Sequence, residues 1–253
     1  MSESTLYPVL LAAWLVLAAG VSPLLFLFTA PYGRHVRQGW GPALPDHLGW
    51  VIMEAPAALA FALLFALGPY RDSPVSWAFL GLWEAHYLHR AFVYPWTRRS
   101  RSRPMPLAIV GMGFFFNVVN AYLNGRYLFA LSGGYPLTWL RDLRFLAGTA
   151  LFLAGLAVNR QSDHILRSLR RPGENGYRIP HGGLYRWVSC PNYLGEIAEW
   201  TGWALATWSL PGLAFAVWTT ANLAPRAWAH HRWYREHFPD YPPERKALLP
   251  GLW

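Results

Sequence analysis

The sequence predicts an all-α integral membrane protein of seven transmembrane helices, with its N-terminus outside and its C-terminus in the cytoplasm. Three observations lead there. Of 253 residues, 54% are apolar or aromatic and only 14% are charged, against about a quarter charged in an ordinary soluble domain. The apolar residues fall in long blocks that are nearly free of charge, each close to the ~20 residues a helix needs to cross about 30 Å of hydrocarbon. Arginine is confined largely to every second connecting segment, which sets the orientation because cytoplasmic loops retain the cations. The length suits one domain spanning residues 1–253.

The predicted spans are about 6–28, 50–68, 75–95, 107–124, 143–159, 193–208 and 211–225. The first is not read as a signal peptide, because it lacks a basic leader and a small-residue cleavage site, and similar spans follow it. A short loop joins spans two and three, which makes them antiparallel neighbours. With the N-terminus outside, the inner segments (about 29–49, 96–106, 160–192 and 226–253) carry 17 Arg and Lys. The outer segments carry four, Arg71, Arg126, Arg141 and Arg144, and Arg90 lies within a span.

Composition excludes disorder, coiled coil and collagen, and a single cysteine, Cys190, excludes a disulfide scaffold. The net charge of +9 is almost all arginine, with Lys246 the one lysine. Topology and anionic lipid headgroups account for many of these arginines. Nucleic acid is not an expected partner, because the aromatics lie in the spans and do not interleave with the basic residues. A cytoplasmic face this basic also suits a polyanionic cofactor. His86-x-x-His89 and His230-His231 fall well short of a di-iron histidine set, so no metal is expected. No Walker sequence and no G-x-G-x-x-G after a strand is present. Helix faces and loops must therefore hold any nucleotide. The protein is expected to be a monomer.

Polar residues inside spans are costly in lipid and usually face an interior cavity. Helical spacing aligns four sets of them. Asn117, Asn120 and Asn124 share a face of span four. Asn159, Asp163, Leu166 and Arg170 carry span five on as a helix into the cytoplasm, to an end before Pro172-Gly173. Asn192, Glu196 and Glu199 form one face where span six starts, and Arg226, His230 and Tyr234 line the end of span seven. Interhelical hydrogen bonding explains any single stripe. Three stripes at cytoplasmic ends, rich in Arg, Asn and carboxylate, point to a polar site.

Glu54 lies about one turn inside the cytoplasmic end of its span and Tyr87 about two turns inside the same end of the next, at ~1.5 Å per residue. They can meet at similar depth. Flanked by Met53, Ala55 and Pro56, Glu54 is expected to be neutral, because desolvation opposes the charged form. A neutral carboxylic acid beside a phenol is a pair of hydrogen-bond donors, suited to a carbonyl oxygen that gains negative charge in a transition state. The simpler alternatives are a carboxyl paired with a backbone carbonyl or an arginine, and an ordinary buried tyrosine.

Arg170-Arg171-Pro172-Gly173-Glu174, Tyr177-Arg178-Ile179-Pro180, Gly182-Gly183-Leu184-Tyr185, Asn192-Tyr193-Leu194-Gly195-Glu196, Glu199-Trp200 and Ala204-Leu205-Ala206-Thr207-Trp208-Ser209-Leu210-Pro211 together closely resemble the C-terminal core of steroid 5α-reductases. The tail His230-His231-Arg232-x-Tyr234, Asp240-Tyr241-Pro242 and Arg245-Lys246-Ala247-Leu248 resembles theirs as well. Upstream, Glu54-x-Pro56 and His86-Tyr87-x-His89-Arg90-x-Phe92-Val93-Tyr94 fall where the family has comparable motifs. The resemblance runs from about Tyr32 to Trp253 and is nearest the type 2-like branch, as a bacterial homologue.

The resemblance implies a membrane reductase that uses NADPH to reduce the 4,5 double bond of a 3-oxo-Δ4-steroid or another enone lipid. It implies steroid-pocket helices over about 1–140 and an NADPH-binding core over about 141–253, in a multi-pass protein of the bacterial inner membrane. Glu54 and Tyr87 would hold the 3-oxo group and stabilise the enolate. Asn159, Asp163, Arg170, Arg178, Asn192, Glu196, His230 and Tyr234 match positions expected to hold NADPH, joined by Tyr32, Tyr94 and Arg103. The run Arg98-Arg99-Ser100-Arg101-Ser102-Arg103 is longer and richer in arginine than in animal relatives. Two alternatives stand beside this reading: a membrane methyltransferase using S-adenosylmethionine, and a non-enzymatic sterol- or lipid-binding protein.

Overall fold

The computed structural model describes residues 2–29, 33–35, 39–97, 104–169 and 176–253. Tyr32, Arg103 and Arg170 lie outside the described residues. The described chain forms helices α1 (Glu3–Leu27), α2 (Asp46–Leu67), α3 (Pro74–Leu88), α4 (Tyr94–Thr97), α5 (Leu107–Arg126), α6 (Leu143–Ser168), α7 (Pro191–Thr207) and α8 (Leu210–His237). Strands β1 (Ala43–Leu44) and β2 (Met105–Pro106) make one short antiparallel pair.

Each of the seven predicted spans falls on helix. Four segments, Glu3–Leu27, Asp46–Leu67, Leu107–Leu131 and Leu143–Ser168, are long and apolar enough to cross a membrane. Of the others, α3 has 15 residues and α7 has 17, and α8 carries Arg226, His230, His231 and Arg232 in its second half. The chain divides into two compact units, Pro31–Leu146 and Met1–Ala30 with Ala147–Trp253.

In the Pro31–Leu146 unit, α2 and α5 lie side by side. Gly49 faces Val110, Met53 faces Gly113, Leu64 faces Gly125 and Gly68 faces Phe129. The offset is nearly constant, so the two helices run parallel. The strand pair, with Leu44 opposite Met105, starts both helices from one level. Glycine at 113 lets α5 approach Met53, where any Cβ would overlap that side chain. Pro56 interrupts α2; it gives no N–H to the Ile52 carbonyl and crowds the preceding turn. Helix α3 is fixed to α2 by Trp83, whose indole N–H donates to Ala57 O at 3.0 Å while its ring stacks on Phe61 at 4.2 Å. A five-residue π-helical turn, His89–Val93, joins α3 to α4. Such turns change which face the following side chains occupy.

In the other unit, glycines 148 and 155 of α6 meet glycines 202 and 195 of α7. A Cβ at any of the four would strike backbone of the opposite helix. The pairing sums are nearly constant, so these helices are antiparallel. Trp208 adopts a left-handed φ of 44° and turns the chain from α7 into α8, whose first turn is capped by Ser209 Oγ accepting from Gly212 N at 3.1 Å. Helix α1 packs on α8, and the Trp218 indole donates to Trp14 O at 2.9 Å. The C-terminal tail pairs with the segment before α7: Ser189 N donates to Lys246 O and Lys246 N to Trp187 O.

Candidate active site

The Pro31–Leu146 unit brings Glu54 and Tyr87 together through a third residue. Asn117 of α5 donates from Nδ2 to Met53 O at 2.7 Å and to Glu54 Oε2 at 3.3 Å. Its Oδ1 accepts from Tyr87 OH at 3.3 Å. Tyr87 is 3% exposed and Asn117 5%, so these polar groups sit within the wall of the bundle. Two rings flank the phenol, the Trp83 indole and the His86 imidazole, each at 4.9 Å between centroids.

Arg90 completes the group. Its Nε lies 3.9 Å from Glu54 Oε1, and the two side chains are only 15% and 14% exposed. The guanidinium sits 4.7 Å from the Trp50 centroid and 4.6 Å from that of Tyr94. Two ring faces therefore hold the cation. The Glu54 carboxyl thus has the Asn117 amide on one side and the Arg90 guanidinium on the other, the arginine pairing that the sequence left open as an alternative. Tyr94, expected at the cofactor, lies against Arg90 in this unit.

Among the described residues of the second unit, the expected cofactor residues lie on α6, α7, α8 and the segment before α7. The glycine contacts position Asn159 where its Nδ2 donates to Asn192 O at 3.0 Å and to Glu196 Oε2 at 3.3 Å. Asp163 is buried one turn further along α6. Burial first, and then the nearby charge of Asp163, push the Tyr185 phenol well up from its ordinary value. On α8, Arg226 Nε donates to Tyr193 OH at 3.1 Å, and the His230 ring lies 5.5 Å from that of Tyr193. Tyr234 is buried and stacks on Tyr241 at 5.2 Å. Arg178 is exposed.

Sequence reasoning missed three contributors. Asn117 was recognised as part of a stripe but given no partner on α2. Arg90 stands in the motif with Tyr87, and an arginine is one of the partners considered for Glu54, but spacing alone does not join the two. The third is the hub at Ser189, whose Oγ lies 2.7 Å from both His231 Nδ1 and Tyr241 OH and donates to Lys246 O at 3.1 Å. Nothing in residue spacing announces that hub. Among the described residues, no group of three His, Cys, Asp or Glu is arranged to hold a metal ion.

Residues 103–253 match the family model described as 3-oxo-5-alpha-steroid 4-dehydrogenase. The chain is 44% identical over 249 residues to 3-oxo-5-alpha-steroid 4-dehydrogenase 1 of Bos taurus, covering 95% of each. It is 44% identical over 248 residues to 3-oxo-5-alpha-steroid 4-dehydrogenase 2 of Sus scrofa, covering 97% of this chain and 96% of the relative. Identity thus does not separate the type 1 and type 2 branches. A steroid 5-alpha-reductase of Gossypium hirsutum is 40% identical over 256 residues, covering 100% of this chain and 99% of the relative. With a family match over more than half its length and relatives at this identity over nearly all of it, the chain belongs to the 3-oxo-5-alpha-steroid 4-dehydrogenase (steroid 5α-reductase) family of oxidoreductases.

Proposed function

We propose that the protein reduces the 4,5 double bond of a 3-oxo-Δ4-steroid, or of an enone lipid of similar shape, with NADPH as hydride donor. In this reading it crosses its membrane seven times, with the C-terminus cytoplasmic. The observation that carries the proposal is the Glu54–Asn117–Tyr87 group. A carboxyl and a phenol are held by one amide in an apolar wall, in a chain whose relatives are named for this reaction.

Reducing an enone moves charge from the β-carbon to the ketone oxygen. Tyr87 donates its O–H to the 3-oxo oxygen, and Glu54, once protonated, donates a second hydrogen bond. Both bonds strengthen as that oxygen becomes an enolate oxygen, so they favour the transition state over the bound ketone. Glu54 meets two donors in the free protein, so seating the ketone requires it to take up a proton and release Asn117. A proton then adds at C4 of the enolate.

The donor set of the second unit fits a nicotinamide dinucleotide. Asn159 and Asn192 offer amide chemistry, Asp163 and Glu196 offer acceptors for ribose hydroxyls, and Arg178 and His230 offer cationic or polar partners for phosphate. Tyr234 is assigned to the same ligand, as is Arg170, which lies outside the described residues. When bound, NADPH supplies the hydride that C5 receives.

The test is isotopic. Cofactor deuterated at nicotinamide C4 should place deuterium at C5 of the product, and turnover in deuterated water should place it at C4. A label at C4 from the cofactor, or none in the product, would overturn the assignment.

A further inference from the structure

We infer that Asn117 is the positioning residue of this carbonyl clamp: its side-chain amide sets Glu54 and Tyr87 before the ketone arrives and occupies Tyr87 in the ketone's place until then. The inference rests on the clamp reading above and deepens it.

The orientation of the amide follows from its anchor. Met53 O can only accept, so the nitrogen of Asn117 must face it, and that bond is short at 2.7 Å. The same nitrogen has a second N–H, which reaches Glu54 Oε2 at 3.3 Å. The oxygen is thereby turned to Tyr87, whose O–H donates to it at 3.3 Å. Hydroxyl bonds to oxygen are commonly about 2.7–2.8 Å. Asn117 thus grips the backbone of α2 tightly and the two reactive groups loosely.

That asymmetry is what a preset clamp needs. A buried phenol without an acceptor bears the full cost of desolvation, and Asn117 Oδ1 removes that cost in the free protein. The arriving ketone then replaces one carbonyl oxygen with another at the same O–H. The Tyr87 O–H is then already placed when the ketone arrives, and the Glu54 carboxyl already stands beside it. The parallel packing of α2 and α5 makes this possible, because glycine at 113 draws α5 against Met53 one turn before Asn117.

The test is a double-mutant cycle on the full chain in detergent with a 3-oxo-Δ4-steroid and NADPH, using Asn117→Ala, Tyr87→Phe and the double variant. Asn117→Ala should lower kcat about 10-fold or more, while KM for the enone rises less than about 3-fold and cofactor affinity stays unchanged. In the Tyr87→Phe background the same change should cost less than about 3-fold, because only the long contact to Glu54 is left to place. Equal losses in both backgrounds would overturn the inference and leave the clamp standing. Wild-type turnover by Tyr87→Phe would remove the clamp and this inference with it. If Asn117→Ala does not fold, Asn117→Gln keeps the amide but displaces it by one methylene; kcat should again fall about 10-fold with KM for the enone nearly held, and an unchanged kcat would overturn the inference.

Discussion

Replacing Gly195 by alanine tests whether the α6–α7 glycine contact sets the cofactor residues. A Cβ there would lie 2.6 Å from Asn159 N and 2.7 Å from Gly155 O, about 0.8 Å inside ordinary contact. Both struck atoms are backbone, so the helices themselves must separate. Overpacking of this kind costs roughly 1–3 kcal/mol, offset by about 1 kcal/mol from the better helix propensity of alanine. The net loss, about 0–2 kcal/mol, is within what a folded domain tolerates. The local effect is larger: an Asn159–Glu196 bond already at 3.3 Å moves to about 4 Å and is lost. Asn159 then no longer orders Asn192 and Glu196, and losing one to two such bonds should weaken NADPH binding about 5- to 30-fold. The assay is fluorescence titration of purified protein with NADPH, beside a thermal melt. Gly111→Ala is the control, because nothing lies within 4 Å of that Cβ. Wild-type NADPH affinity in a folded Gly195→Ala would show that the glycine contact does not set the cofactor residues.

Glu54→Gln and Tyr87→Phe should each cut enone reduction by about 100-fold while NADPH titrates as in the wild type; near-normal turnover in either would show that the residue is not in the clamp. Arg170→Ala should weaken NADPH more than NADH if it meets the 2′-phosphate, and equal losses would move it to the pyrophosphate. His231 is pushed down from its ordinary value, first by burial and then by the charges of Arg235 and Lys246. The unfolded chain therefore protonates first, and the stability contributed is complete above about pH 6.5 and lost as pH falls below it. Thermal melts should show a drop as pH falls below about 6.5 that His231→Gln reduces; an identical drop in the variant would exclude His231 as its source. Asp142 does not interfere, because its carboxyl is held at about 2 chiefly by hydrogen bonds from Arg144.

Much of this was legible because lipid solvent is unforgiving of polar groups. The apolar blocks mark where helices lie, and Glu54, Tyr87, Asn159, Asn192 and Glu196 are conspicuous as polar side chains at helical spacing in or beside such blocks. Their partners were harder to read. That Asn117 meets Glu54 depends on α2 and α5 being parallel neighbours, and sequential order suggests only that α2 meets α3. Arg90 reaches Glu54 from within a π-helical turn, where a 3.6-residue count fails. The packing of α1 on α8, through Trp14 and Trp218, joins opposite ends of the chain and leaves no periodic trace. The glycine contacts of α6 and α7 are spaced seven apart on each helix, but only close approach of two backbones reveals why Cβ is excluded.

The decisive measurement follows NADPH oxidation by the purified, detergent-solubilised protein given a 3-oxo-Δ4-steroid, with the product identified by mass and by its configuration at C5. NADPH should be consumed stoichiometrically and a 5α-dihydro product formed. Folded protein that neither binds NADPH nor reduces the enone would contradict the proposed reaction.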